Sequence, residues 1–433
     1  MARIGLVRPD SKAANYQNLS SISAVEPPHW MAVRATDLLL KGHTVSVHDC
    51  AVDGPDIKLA ACDRFEIWPS GVHPSAFIQE QAGAADAIKR IGPDEDIEVI
   101  DHLNFNPVGT SPMWQLFDLK KYRAHNWHCW GFEDRQPYGT VNFSISCPYQ
   151  CKFCTVKRYY RRKYQMEPIG KIMHDLEYLA GHVNHVKIMD EIAVRPTPEF
   201  EAIIDMILSK FKGEFNFWGY GRVDTVPGND MLTKMKGAGL NWICLGIESG
   251  SYGVRTANRK GKFSNQTITD EVHRLQDHGI AVLGNYMYGF PEDTKDSMIQ
   301  TWHLAYQLQC EYSNFYCVVP YPGTEIYTMA EELGWELPQT PSQFAQMAFD
   351  FKPLRTHQLS AKDVLAYRDW CWFMYHSRRG YIDRLRKQFG EESAGEMADI
   401  TRIEVKRKEL NGQTWSEHYD AQEKKRRGGL DNA

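Results

Sequence analysis

Ser146-Cys147-Pro148-Tyr149-Gln150-Cys151-Lys152-Phe153-Cys154 places three thiols on one short loop, with the spacing C-x3-C-x2-C. An apolar run over residues 141–146 precedes it and reads as a strand. Three thiolates on such a loop can hold three corners of a cubic iron–sulfur cluster. A four-iron cluster needs a fourth ligand, and the loop offers none. One iron is therefore left open to a small molecule.

Other readings of the loop are weaker. A zinc site usually takes four N/S ligands in two pairs, and His174 and His182 stand too far along the chain to complete a local finger. A disulfide would leave an odd cysteine and suits a secreted chain. Three packed core thiols would not need Pro-Tyr-Gln and Lys-Phe between them.

Outward from the loop the pattern is regular. Apolar runs recur at 186–189, 215–220, 242–247, 282–288 and 314–319. Helical segments at 168–181, 198–211, 228–238, 265–278 and 294–308 lie between them. Six strands alternating with helices predict a parallel (β/α)6 sheet curled like part of a barrel. Ligands of such sheets sit at the carboxyl ends of the strands, and the three cysteines follow strand one.

C-x3-C-x-aromatic-C at a strand end resembles the motif of the radical S-adenosylmethionine (SAM) enzymes, over about residues 138–323. The resemblance implies a four-iron, four-sulfur cluster on Cys147, Cys151 and Cys154 whose open iron binds SAM. It also implies reductive cleavage of SAM to a 5′-deoxyadenosyl radical, with Phe153 beside the adenine. In this family Asp190 and Glu191, ending strand two, match the segment that holds the SAM amino group. Arg222, after strand three, is placed to pair the SAM carboxylate in bidentate fashion. Glu248 or Ser249, after strand four, would hold the ribose hydroxyls. The segment 284–293, which includes Tyr288, offers adenine an apolar edge. On strand six, Tyr316 and Cys317 are candidate hydrogen-atom donors, and with Glu191 they form the expected catalytic set.

Upstream, residues 3–7, 44–49 and 65–68 read as strands, with helices at about 29–41 and 75–91. This predicts a small Rossmann-like unit, and the lack of G-x-G-x-x-G after the first strand argues against a dinucleotide site. Pro27, Pro28, Gly42, His43 and Asp49, with the turn Gly71-Val72-His73-Pro74-Ser75, resemble the cobalamin-binding domain that precedes many radical SAM cores. The D-x-H-x-x-G signature is absent, and no convincing fourth or fifth strand is legible, so a degenerate domain that binds no cobalamin is expected. Residues 104–130 read as an irregular strap around the core, with Cys129 a packed thiol. Beyond Trp335 the pattern is helical. Residues 360–378, with Trp370, Trp372, Phe373 and Tyr375, form an aromatic helix suited to closing the open side of the barrel, and 424–429 read as a solvated basic tail. The expected domains are 1–125, 126–340 and 341–433.

A net charge of −5 gives no bias toward nucleic acid or membrane. No run approaches the 18 apolar residues of a membrane span. Ten cysteines without a leader predict a cytoplasmic protein whose thiols serve as ligands or core. The portion 218–338 resembles the branch holding cobalamin-dependent phosphonate and aminosugar C-methylases and the cobalamin-free radical diol dehydratase of aminoglycoside biosynthesis. The favoured expectation is hydrogen abstraction from a small hydroxylated, aminosugar-like substrate, followed by dehydration, in antibiotic-type biosynthesis. Cobalamin-dependent C-methylation is the alternative. Expected partners are a small-molecule substrate, an external flavodoxin- or ferredoxin-like electron donor and a reductase acting on the product, with neither nucleic acid nor membrane.

Overall fold

The computed structural model describes residues 1–59, 61–69 and 76–430, and the side chains of 425–430 are left aside. The turn at 71–75 lies outside the described residues. The first sheet contains β1 (Arg3–Arg8), β2 (Thr44–Asp49), β3 (Arg64–Ile67) and β4 (Ile97–Val99), all parallel, in the order β2-β1-β3-β4. β1 is apolar on both faces because it is central, and five of its six residues are buried. The helix His29–Leu40 makes the crossover from β1 to β2. It starts at Pro28, buries Trp30, Met31, Val33, Ala35 and Leu38, and stops at Gly42, whose φ of 82° favours glycine. Strand order reverses between β1 and β3, so the crevice at the carboxyl end of β1 is where this architecture receives a ligand. β4 is the strand that the sequence hides. It has only three residues, none of them buried, so no apolar run announces it.

The second sheet holds the chemistry. β5 (Tyr138–Val141) leads into an antiparallel two-stranded ribbon, β6 (Ser144–Ile145) with β7 (Gln165–Met166). β8 (His185–Ile188), β9 (Asn216–Arg222), β10 (Leu240–Glu248), β11 (Ala281–Tyr288) and β12 (Tyr312–Cys317) follow. The six long strands are parallel in the order β12-β11-β10-β9-β8-β5, each beside its neighbour in sequence. The helices Ile169–Ala180, Pro198–Lys210, Asn229–Gly237, Asn265–Asp277 and Lys295–Leu308 connect them. Thr197, Ser264 and Thr294 cap three of these helices with side-chain hydrogen bonds.

The aromatic helix Ala361–His376 packs on β12, the sheet's edge strand. Tyr375 lies beside Phe315 at 5.8 Å and its hydroxyl donates to the Cys310 carbonyl at 2.7 Å. The basic stretch expected to be a solvated tail is helical instead, within Trp415–Leu430.

Two buried contacts fasten the first sheet's helix and loops to the second sheet. His29 is fully buried and bonds Thr140 Oγ1 at 3.0 Å and Asn142 Oδ1 at 3.1 Å. Lys187 Nζ reaches both oxygens of Glu26 at 3.0 Å and lies 4.8 Å from the Trp218 ring centroid. Among the described residues no helix is long and apolar enough to cross a membrane.

Candidate active site

The ribbon sets the cysteine loop. Pairing of Ser144 with Met166 and of Ile145 with Gln165 pinches the chain at both ends of the turn that carries Cys147, Cys151 and Cys154. Ser146 then enters the loop at φ 69°, a left-handed conformation uncommon for serine. The loop is held from outside as well. Lys152 N donates to the Asn258 carbonyl at 3.3 Å, and Ile326 N donates to the Lys152 carbonyl at 3.4 Å. Phe153 meets Phe290 edge to face at 5.4 Å, beside the segment 284–293. The three thiols are free and all line one cavity of about 660 Å³. Burial pushes the Cys147 thiol up to about 11, so binding iron there means displacing its proton. Three unpaired thiols on a doubly pinned loop, opening into one cavity, fit the cluster chemistry.

Around the loop the strand ends converge. Arg222 ends β9 with its guanidinium 3.8 Å from the Tyr149 ring centroid and its Nη1 3.7 Å from Cys151 Sγ. Its fork is already engaged: Nε and Nη2 donate to Asp224 at 2.8 and 2.9 Å, and Nη2 also bonds the Lys260 carbonyl. A bidentate grip on a ligand carboxylate therefore competes with Asp224, and Nη1 is the donor turned toward the cysteines. Glu248 ends β10 at φ 66°, strained for a glutamate, and pairs with Lys260 Nζ at 2.8 Å. Burial opposes the charge on Lys260, and Glu248 and Cys151 together offset it, so the ammonium is held above its ordinary range. Gly246 makes room for this pair. A Cβ there would lie 2.5 Å from Lys260 Nζ and 2.7 Å from Glu248 Oε1.

Glu191 lines the same cavity, and its carboxyl is pushed up to about 8 by burial, against the opposing pull of Lys187. Tyr316 and Cys317 also line it, and burial raises both. Gln346 brackets Cys317: its Oε1 accepts from Cys317 N at 3.0 Å and its Nε2 donates to Cys317 O at 2.9 Å.

Three expected ligand contacts lie off the cavity. Asp190 is turned into the core, where it accepts from Phe143 N at 2.7 Å and from the Ser144 hydroxyl. It shapes the bend before the cysteines, and a neighbouring carboxylate, Glu191, takes the place at the wall. Ser249 is fully buried and bonds Thr301 Oγ1 at 3.1 Å. Tyr288 is fully buried on the opposite face of β11, stacked on Phe315 and edge-on to Tyr367. One residue of alternation separates the two faces, and the sequence does not show which points inward.

Lys260 was missed. Its signal is the run Asn258-Arg259-Lys260-Gly261-Lys262 after a short helix, which reads as surface charge. The other wall of the cavity was missed too. It comes from the carboxyl end of β1, with Arg8 and Ser11, and from Ala51 after β2. Arg8 Nη1 donates to the Glu26 carbonyl at 2.8 Å and to Asp49 at 3.2 Å. Gln79 Nε2 donates to Tyr321 Oη at 2.8 Å, joining the two walls. A third part of the rim comes from the C-terminal region, where Arg407 grips Asp369 at 2.9 and 3.1 Å and Arg368 lies 3.0 Å from the same carboxylate.

A partial parallel barrel with three loop cysteines at the mouth of its strands defines an iron–sulfur enzyme class. Residues 141–305 match the domain model of the radical SAM superfamily. The chain is 27% identical over 224 residues to an uncharacterised methyltransferase of Pyrococcus horikoshii, covering 51% of this chain and 46% of that protein. It is 22% identical over 186 residues to the bacteriochlorophyllide d C-12(1)-methyltransferase of Chlorobaculum tepidum, covering 42% and 40%. With the anaerobic magnesium-protoporphyrin IX monomethyl ester cyclase of Rubrivivax gelatinosus it shares 24% over 234 residues, covering 52% and 39%. The matched segments thus span less than half of these relatives.

The fold as a whole is that of the radical SAM methyltransferase TsrM from Kitasatospora setae, solved with cobalamin and an iron–sulfur cluster. The TM-score is 0.61 at 12% identity, over 92% of this chain and 99% of that one. The cobalamin-dependent radical enzyme OxsB, solved with aqua-cobalamin and SAM, gives 0.60 at 11%, over 93% and 71%.

Proposed function

We propose that this chain is a cobalamin-dependent radical SAM methyltransferase acting on a small molecule. One observation carries the reading: a single cavity has the cysteine loop on one wall and the carboxyl end of the β1 sheet on the other. A unit kept only for packing would not need to open into the cavity where SAM is cleaved. Ser11, Ala24, Ala51 and Ala76 line that side, and such short side chains leave a wall that a flat ring can approach. The names of the relatives support methyl transfer over the dehydration that the sequence favours.

When bound, the cluster and SAM supply reductive cleavage of a sulfonium, and a corrin supplies a methyl carrier. The protein's own groups then have separable tasks. Cys147, Cys151 and Cys154 hold the cluster, and Arg222 Nη1 steadies the charge at Cys151. The Lys260–Glu248 pair presents a cation and a carboxylate to the polar parts of SAM. Glu191 holds or releases a proton at the wall, and Tyr316 and Cys317 face the substrate. An external reductant supplies the electron.

Anaerobic reconstitution with hydroxocobalamin, followed by gel filtration, tests the proposal. Corrin absorbance is expected to travel with the protein at about one per chain, consistent with a single shared pocket. Turnover should yield S-adenosylhomocysteine and a product heavier by one methyl. Corrin-free protein that releases 5′-deoxyadenosine and a dehydrated product overturns it in favour of direct abstraction.

A further inference from the structure

We propose a second metal site, for zinc, at the amino ends of β8 and β9, built from His128, Cys129 and His185. One ring nitrogen of each histidine and Cys129 Sγ lie within 4.8 Å of one another, and all three residues are buried. None of them lines the cavity that holds the cluster cysteines.

Hydrogen bonding fixes the tautomers. His128 Nε2 faces the Asn216 carbonyl at 2.9 Å, and His185 Nε2 faces the Asp134 carbonyl at 2.9 Å. A carbonyl oxygen only accepts, so each Nε2 carries the hydrogen and each neutral ring keeps its lone pair on Nδ1. This is the arrangement of metal-binding histidines, whose second nitrogen donates to a backbone carbonyl and fixes the ring. The Nδ1 of His185 accepts from Asn216 Nδ2 at 3.1 Å. The Nδ1 of His128 has no partner, in a residue with 0% exposure. A buried ring nitrogen without a partner is uncommon and calls for an explanation. A cation between the three donors supplies one.

The donor set is two imidazoles and one thiol, which selects zinc or copper over the oxygen-seeking magnesium and calcium. Zinc bonds of about 2.0–2.3 Å put tetrahedral donors roughly 3.3–3.8 Å apart. Side-chain rotation of about an ångström therefore closes the set. The fourth position is left to a water, because the Asn216 amide turns its nitrogen to the site and its oxygen to Asn241. The sequence alone reads Cys129 as a packed thiol because its partner His185 lies 56 residues away. The site fastens the irregular strap around Trp127–Cys129 to the feet of two barrel strands.

The test separates this site from the cluster loop. The full chain carrying Cys147→Ala, Cys151→Ala and Cys154→Ala is purified from zinc-supplemented medium and dialysed against a chelator. It should retain about one zinc per chain, with a first shell of one sulfur and two or more nitrogens by zinc-edge X-ray absorption. Adding Cys129→Ser should abolish the retained zinc while the far-ultraviolet circular dichroism stays that of the parent. Should that variant fail to fold, the parent decides alone: zinc must raise its melting temperature and a strong chelator lower it. Absence of zinc from the supplemented parent, a shell without sulfur, or zinc content unchanged by Cys129→Ser overturns the proposal and leaves a hydrogen-bonded histidine pair.

Discussion

Arg222 Nη1 stands 3.7 Å from Cys151 Sγ, so a guanidinium held by Asp224 points its remaining donor at a thiol of the cysteine loop. Donors and positive charge at a ligating sulfur raise a cluster's potential. Arg222→Ala should therefore retain iron and shift the cluster midpoint to more negative potential in redox titration. SAM affinity should fall by about 1.5 kcal/mol or less, since the fork is already spent on Asp224. An unchanged midpoint with unchanged SAM affinity would remove Arg222 from the site.

Under the proposed function, the cysteine loop carries the cluster chemistry. Replacing Cys147, Cys151 and Cys154 by alanine together should remove bound iron and all 5′-deoxyadenosine formation. The measurements are iron content and product chromatography, and full cluster occupancy in the triple variant would sink the assignment.

Gly246→Ala places a methyl group against both ends of the Lys260–Glu248 pair. Overpacking of this kind costs about 1–3 kcal/mol. The variant should lose SAM affinity in equilibrium titration while its iron content stays that of the parent. Wild-type SAM binding would show that the pair does not touch the ligand.

Asp190 gives a pH signature. Burial raises its carboxyl from 3.8 to about 7 in the folded chain, so between these values the folded state binds more protons than the unfolded one. The contribution of Asp190 to stability is then complete below about pH 4 and is lost as pH rises through about 7. At 1.36 kcal/mol per unit, the ceiling on that loss is about 4 kcal/mol. Urea unfolding of the wild type should show the decline, and Asp190→Asn should flatten it. Parallel pH profiles for the two chains would refute the buried protonated carboxyl.

Asp369 neutralises one of two guanidiniums at the cavity rim, and Arg368 and Arg407 are each only 1% exposed. Asp369→Ala leaves two buried cations without a counter-ion and should cost about 3–5 kcal/mol in urea unfolding. A loss below about 1 kcal/mol would mean that water reaches the pair.

The barrel was legible because its strands are apolar: apolar runs marked five of the six, the run at 141–146 met β5 only at Val141, and the cysteine spacing marked the end that matters. β4 was not legible, since a three-residue edge strand with no fully buried residue leaves no apolar run. The inward set failed where it depended on one-residue register: Asp190 and Glu191 are neighbours, and the structure gives the wall to Glu191. Lys260 and the Arg368–Asp369–Arg407 group were hidden for another reason. Charges far apart in sequence become a site only when tertiary packing buries them together. Chain length counted against a corrin, and only the structure shows Ser11 and Ala51 facing the cysteine loop across one cavity.

The wall of that cavity draws on residues from Arg8 to Trp415. Gln17 Nε2, near the start of the chain, donates to the carbonyls of Met347 at 2.7 Å and Lys406 at 3.1 Å. During synthesis the cysteine loop leaves the ribosome some 260 residues before Trp415 does. At about 5–20 residues per second, the nascent barrel spends roughly 13–50 s with its mouth uncovered. For that interval the three thiols are open on the side that Gln346, Arg407 and Trp415 line in the finished fold.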